Sequence, residues 1–133
     1  MPLRDSQPSG LHRVLDSTFE DTLARVQEQL WVEGLGVVRE FDVKAALEQQ
    51  LGVKQEPYTI VWVWNPTLTD AALLYEPHAG YILPSRILIR RQQGRVLVSA
   101  LDPVAATVLL DRKEICPIAL SMRERLERAL AAL

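Results

Sequence analysis

Apolar and polar positions along this chain switch between two spacings, every second residue and every third to fourth, and the switches separate strands from helices. The clearest segment is Tyr58-Thr59-Ile60-Val61-Trp62-Val63-Trp64, ended by Asn65-Pro66. β-Branched and aromatic residues at nearly every position read as a strand. Ile60, Trp62 and Trp64 point one way and Val61 and Val63 the other, so both faces are apolar and both should be covered. The helices of one copy can cover one face, and a second copy of the chain the other.

Before this segment, residues 1–10 read as a loose tail and Leu11 to Leu15 as a short strand. Ser17-Thr18-Phe19-Glu20 fits a capping box, with the Ser17 hydroxyl and the Glu20 carboxylate satisfying free amides. Phe19, Leu23, Val26 and Leu30 then recur at helical spacing, and Gly34 ends the helix. Residues 35–41 alternate as a strand, with Val37, Arg39 and Phe41 opposite Val38 and Glu40. Asp42 caps a short helix from Val43 to Leu51, stopped by Gly52. Beyond Asn65, Pro66 suits the first position of a helix reaching Tyr75, with Leu68, Ala71, Ala72 and Tyr75 inward. Residues 76–80 read as a loop. Ile87–Arg90 and Arg95–Ala100 form two strands joined through Gln92-Gln93-Gly94 as a hairpin. Asp102-Pro103 opens a helical piece through Leu110. Pro117 starts a last helix with Ala119, Met122, Leu126, Leu130 and Leu133 on one side.

The order is β-α-β-α-β-α-β-β-α, and residues 11–133 form a single α+β domain. The final hairpin is antiparallel, which implies a helix-backed sheet of mixed or antiparallel pairing. A doubly wound nucleotide fold is disfavoured, because no Gly-rich phosphate loop follows an early strand.

Composition narrows function mainly by exclusion. The 133 residues carry a formal charge of −2, and the pI is near 5.7. That balance argues against a general nucleic-acid or anionic-membrane binder, both of which need basic surfaces. Arg86, Arg90, Arg91 and Arg95 form a local exception around the hairpin, read most simply as protective charge on a sheet edge. The single cysteine, Cys116, forms neither an intrachain disulfide nor a cysteine metal cluster, and points to a reducing, cytoplasmic setting. No apolar run approaches the roughly 18 residues of a membrane span.

Candidate chemistry is sparse. His12 and His78 are the only histidines, too few with one cysteine for a closed zinc site within one copy. Ser85 and Cys116 are the available nucleophiles, with His78 as a base and Arg86 as an oxyanion partner, but no Gly-x-Ser-x-Gly elbow surrounds Ser85. The simpler account has Pro84 setting the start of a strand, Ser85 satisfying a local backbone group and Arg86 pairing with a carboxylate. Asn65-Pro66 and Asp102-Pro103 likewise read first as helix caps. The functional alternative brings Asn65, His78, Ser85 and Arg86 together at one end of the sheet to bind a small polar or anionic ligand. Trp62 and Trp64 read as core or as contacts between two copies.

Four landmarks resemble the domain of unknown function 302 family. They are Phe19-Glu20-Asp21-Thr22; Phe41-Asp42-Val43-Lys44 with Leu51-Gly52-Val53; Asn65-Pro66; and Leu83-Pro84 followed by the valine-rich hairpin closing at Asp102-Pro103. The resemblance covers residues 18 to 105. It implies a single copy of a half resembling the TATA-binding-protein fold: a curved, largely antiparallel sheet of about five strands with helices on one side, a β-α-β(4)-α core, and a homodimer. It implies no reaction. Many relatives carry cysteine where this chain has Trp64 and Ser85, so a thiol, metal or redox role is not expected here. The expectation is a non-enzymatic, homodimeric binding or interaction module without cofactor, metal, nucleic-acid or membrane partner. The alternative is a small enzyme or ligand sensor.

Overall fold

Five segments rich in β-branched and aromatic residues pair side by side. In the computed structural model, which describes residues 10–133, they are β1 (Gly10–Leu15), β2 (Gly36–Asp42), β3 (Tyr58–Trp64), β4 (Ser85–Gln92) and β5 (Arg95–Leu101). They form an open, curved antiparallel sheet in the order β1-β5-β4-β3-β2. The tail expected over residues 1–10 lies outside the described residues, apart from Gly10, which belongs to β1. At the β4–β5 turn, Gln93 and Gly94 both take positive φ, 55° and 76°, the backbone of a tight two-residue hairpin.

Helices α1 (Phe19–Val32), α3 (Pro66–Tyr75), α4 (Pro103–Ala106) and α5 (Cys116–Ala131) accompany this sheet, and α2 (Val43–Leu51) packs on β3. Alternation sorts the strand residues by face. Val61 and Val63 of β3, Ile87 and Ile89 of β4 and Val96 and Val98 of β5 are sealed, with Val26 and Leu30 of α1 and Met122 and Leu126 of α5 in the same core. Residues 76–80, read as a loop, fall largely in a 3-10 turn over Pro77–Tyr81.

Several local readings shift. Thr18, not Ser17, caps α1, its Oγ1 accepting from the Asp21 amide at 3.1 Å. A bulge at Val38 breaks the alternation of β2, so Val37 pairs with Val63 while Arg39 pairs with Trp62 and Phe41 with Ile60. Tyr75 is exposed rather than inward. The hairpin strands β4 and β5 lie inside the sheet, and the edges are β1 and β2, so the arginine cluster is not edge protection.

One chain covers only one side of β3. Thr59, Val61 and Val63 are buried, whereas Tyr58, Ile60, Trp62 and Trp64 remain half-exposed. The expectation of two apolar faces holds, and the second stays half-exposed among the described residues.

Candidate functional site

The open face of the sheet is set by the strand registers. Phe41, Ile60 and Leu88 lie side by side across β2, β3 and β4, and the row continues through Ser99 of β5 to His12 of β1. On one side of this row, Arg39, Trp62 and Arg86 are also neighbours on adjacent strands. Both guanidiniums stack on the indole, with the Arg39 and Arg86 Cζ atoms 5.9 and 5.5 Å from its centroid. On the other side Arg90 covers Tyr58 at 5.2 Å. Stacked arginines bury their stems on aromatic surface and leave their donors at the rim. None of the paired strand residues on this face is acidic: Glu40 and Asp42 pair with Val61 and Thr59 and so point to the helix side.

A cavity of about 250 Å³ sits at the end of the sheet where β4 begins and β5 finishes, lined by Tyr81, Ile82, Pro84, Ser85, Arg86, Leu101, Pro103 and Ala106. Local sequence chemistry builds it. The cis Leu83–Pro84 bond leads into β4, placing Ser85 toward the core beside Val63 and Arg86 on the open face beside Trp62. Opposite, Asp102 turns the chain out of β5 by accepting from the Val104 amide at 2.8 Å, with Pro103 as first residue of α4. Ser85 is 5% exposed, and its Oγ is the one buried side-chain oxygen or nitrogen without a hydrogen-bond partner among the described residues. Among the described residues it does not satisfy a local backbone group as expected, nor does Arg86 pair with a carboxylate; Arg86 stacks on Trp62 instead.

The four candidate ligand residues are divided. Ser85 and Arg86 share the cavity. His78 lines a neighbouring depression of about 380 Å³ with Glu76, Leu109, Leu110 and Asp111, and Tyr81 belongs to both walls. The His78 and Tyr81 rings lie 5.3 Å apart. His78 Nδ1 is 2.9 Å from Glu76 Oε1, while Arg112 approaches the other carboxylate oxygen at 3.5 Å. The hydrogen bond from the His78 ring, foremost, holds the Glu76 carboxyl below its ordinary value; desolvation opposes this, and the His78 amide and the charges of His78 and Arg112 add to it. Asn65 lines neither space. Its Oδ1 accepts from the Leu68 amide at 3.0 Å and its Nδ2 donates to the Gly34 carbonyl at 3.1 Å.

The model of the domain of unknown function DUF302 matches residues 11–133, nearly the whole chain. The chain belongs to the DUF302 family. Its fold is similar to the crystal structure of an uncharacterized conserved DUF302 protein from Bacillus stearothermophilus, with a TM-score of 0.86 and 23% identity over 92% of this chain and 96% of that one. Among curated proteins none matches.

In this DUF302 chain the described residues contain no group of three or more His, Cys, Asp or Glu side chains able to hold a metal ion, and no helix long and apolar enough to cross a membrane. Cys116 is an exposed free thiol at the start of α5. Three residues that shape the two surfaces, Arg39, Tyr58 and Tyr81, were not anticipated. Tyr58 and Arg90 carried a signal, since each falls four residues from the Trp62–Arg86 pair on its own strand. Arg39 shares the face of Phe41 as its spacing implies, but its neighbour Trp62 is set by the pairing of β2 with β3, which the bulge at Val38 shifts.

Proposed function

We propose that this DUF302 protein is a non-enzymatic binding module that works as a pair, two copies meeting through the open faces of their sheets with Trp62 and Trp64 among the contacts. The observation that carries this reading is the half-exposed apolar row Phe41, Ile60 and Leu88, flanked by Trp62, Trp64 and Leu97. Five strands of about seven residues present roughly 500 Å² in projection. That whole face, arginines included, is of the order that a stable interface takes from each partner, about 800 Å² of accessible surface. A second copy is the occupant favoured by chemistry. A two-fold axis can set Ile60, Leu88 and the tryptophans of one copy against those of the other, with the arginines staying stacked on the rings of their own copy at the margin. Arginine suits this place better than lysine because its planar charge is weakly hydrated.

The reading as a binding module, not a catalyst, rests on the missing relay. His78 is engaged by Glu76 in a separate depression, and Ser85 Oγ has no base beside it among the described residues. The lone exposed thiol fits a reducing compartment such as the cytoplasm. Sedimentation equilibrium tests the pairing: the expected particle has twice the 15.0 kDa chain mass. Ile60→Lys, which adds a charge at the centre of the row, should return a folded single copy. A single-copy wild-type particle at high micromolar concentration would overturn the reading.

A further inference from the structure

We infer that Arg39 and Arg86, on either side of Trp62 on the open face, form a binding site for a diphosphate group. Both guanidiniums belong to one copy of the chain, so the site does not depend on pairing. Register fixes their side. Arg39 of β2, Trp62 of β3 and Arg86 of β4 are neighbours across the strands, on the face opposite the buried Val61 and Val63. Both arginines are exposed, and among the described residues neither forms an ion pair or donates a hydrogen bond. The indole holds each in place, with Cζ 5.9 and 5.5 Å from its centre. Stacking engages the flat side of a guanidinium and leaves the donors along its edge open. Glu40 and Asp42 of β2 point to the helix side, so no carboxylate of the paired strand residues on this face neutralises the two charges. Two uncompensated cations side by side repel, and an anion that meets both relieves that repulsion.

Spacing selects the anion. Measured from one ring centre, the two Cζ atoms are no more than about 11 Å apart. Their strands, β2 and β4, stand two sheet spacings apart, about 10 Å. An arginine fork grips a phosphate with its Cζ about 4 Å from phosphorus, so one phosphate held by both forks would draw them to about 8 Å. A second, directly linked phosphate supplies the remaining length and gives each fork a phosphate of its own. A short dicarboxylate also has two anionic ends, but it brings a single charge at each and a flexible chain that loses freedom on binding. The stacked arginine stems are already ordered, which lowers the cost of seating the ligand. Arg86 also lines the cavity of about 250 Å³ whose wall includes Ile82, Pro84, Leu101 and Ala106, so apolar surface lies beside the site. Arg90 stands outside it, stacked on Tyr58 four residues along β4, about 13 Å from Arg86.

Isothermal titration calorimetry on the full chain tests this in magnesium-free buffer, with inorganic diphosphate as probe and phosphate and glutarate as comparators at matched ionic strength. Diphosphate should bind at least about tenfold more tightly than either. Arg39→Met and Arg86→Met keep an apolar stem for the indole and should each weaken it about tenfold, with circular dichroism confirming that both fold. Arg86→Lys keeps the charge without the fork and should fall between. Arg90→Met removes the same charge from the same face and should change affinity less than about threefold. Isopentyl diphosphate separates the sources of the group. Tighter binding than the inorganic anion assigns an organic diphosphate whose body rests against the cavity beside Arg86; binding no tighter assigns the free anion. A wild type that sediments as a single copy would remove the pairing and leave this site standing. No heat with diphosphate up to tens of millimolar would overturn the proposal. So would phosphate or glutarate binding as tightly as diphosphate, or Arg90→Met losing as much affinity as Arg39→Met.

Discussion

Asn65 holds Gly34: its Nδ2 donates to the Gly34 carbonyl at 3.1 Å, while its Oδ1 caps the next helix at the Leu68 amide. One side chain thus ties the turn that ends α1 to the turn that starts α3. Asn65→Ala should lose a cap worth about 1 kcal/mol and a hydrogen bond worth about 1 kcal/mol. Asn65→Ser keeps a capping oxygen and is too short to reach Gly34, so its cost should be about half. Urea denaturation of both variants checks the order, and wild-type stability in Asn65→Ser would show that the tie to Gly34 is inert.

Gly34 holds a backbone conformation that strains any side chain. Its φ of +74° is left-handed, and an added Cβ would sit 2.9 Å from the Arg125 guanidinium, which donates to the Glu33 carbonyl at 2.8 Å. Gly34→Ala should therefore cost about 1–2 kcal/mol by urea denaturation, combining backbone strain with displacement of that arginine. An unchanged midpoint would mean the turn relaxes freely.

Arg13 lies on the helix side of β1 and spans to the end of the chain, donating to the carbonyls of Leu130, Ala131 and Leu133 at 2.9, 3.2 and 3.3 Å. The last carbonyls of a helix have no partners of their own, and a cation there also meets the negative end of the helix dipole. Arg13→Met keeps the apolar stem and removes the donors. We expect a loss of about 2 kcal/mol, with amide exchange speeding up first in the last turn of α5.

Glu76 supplies a pH dependence. Its carboxyl is held below the ordinary value of 4.5, chiefly by the hydrogen bond from His78. A carboxyl whose value is lower folded than unfolded adds stability above the unfolded value, and that stability fades as pH falls through the folded one. Glu76→Gln should therefore be less stable than wild type at neutral pH, with the gap closing below about pH 4.5. Thermal melts across pH 3 to 7 check this; a constant gap would place the effect in packing alone.

Features set by neighbours in sequence were legible before the fold was known. Asp42 and Gly52 bracket α2, and Asn65-Pro66 opens α3, as their residue types require. Ser17 and Thr18 are both able to cap, and only the path of the chain out of β1 decides for Thr18. Val37 and Val38 are both apolar, so no pattern marks the bulge between their faces. The arginines of the hairpin were misplaced for a non-local reason: β1 returns from the other end of the sequence to cover β5, which moves both hairpin strands inside the sheet. Ser85 belongs to the same class. That its hydroxyl lacks a partner depends on the walls brought by α4 and the 3-10 turn before β4, which no short window contains.

Salt separates the proposed pairing from an electrostatic partner. Arg39, Arg86 and Arg90 share a face whose paired strand residues include no carboxylate, so two such faces repel through charge while attracting through Ile60, Leu88 and the tryptophans. Raising sodium chloride shortens the screening length from about 10 Å at 0.1 M to about 3 Å at 1 M. The repulsion should fade and the apolar contact should not, so the dissociation constant of the pair should fall severalfold over that range. A polyanion on the same face behaves oppositely, because its affinity comes from counterions released by the arginines and drops steeply as salt rises. Sedimentation equilibrium at the two salt concentrations reads the sign directly. Pairs that dissociate in high salt would mean that ionic contacts, and not the row from Phe41 to Leu88, hold the copies together.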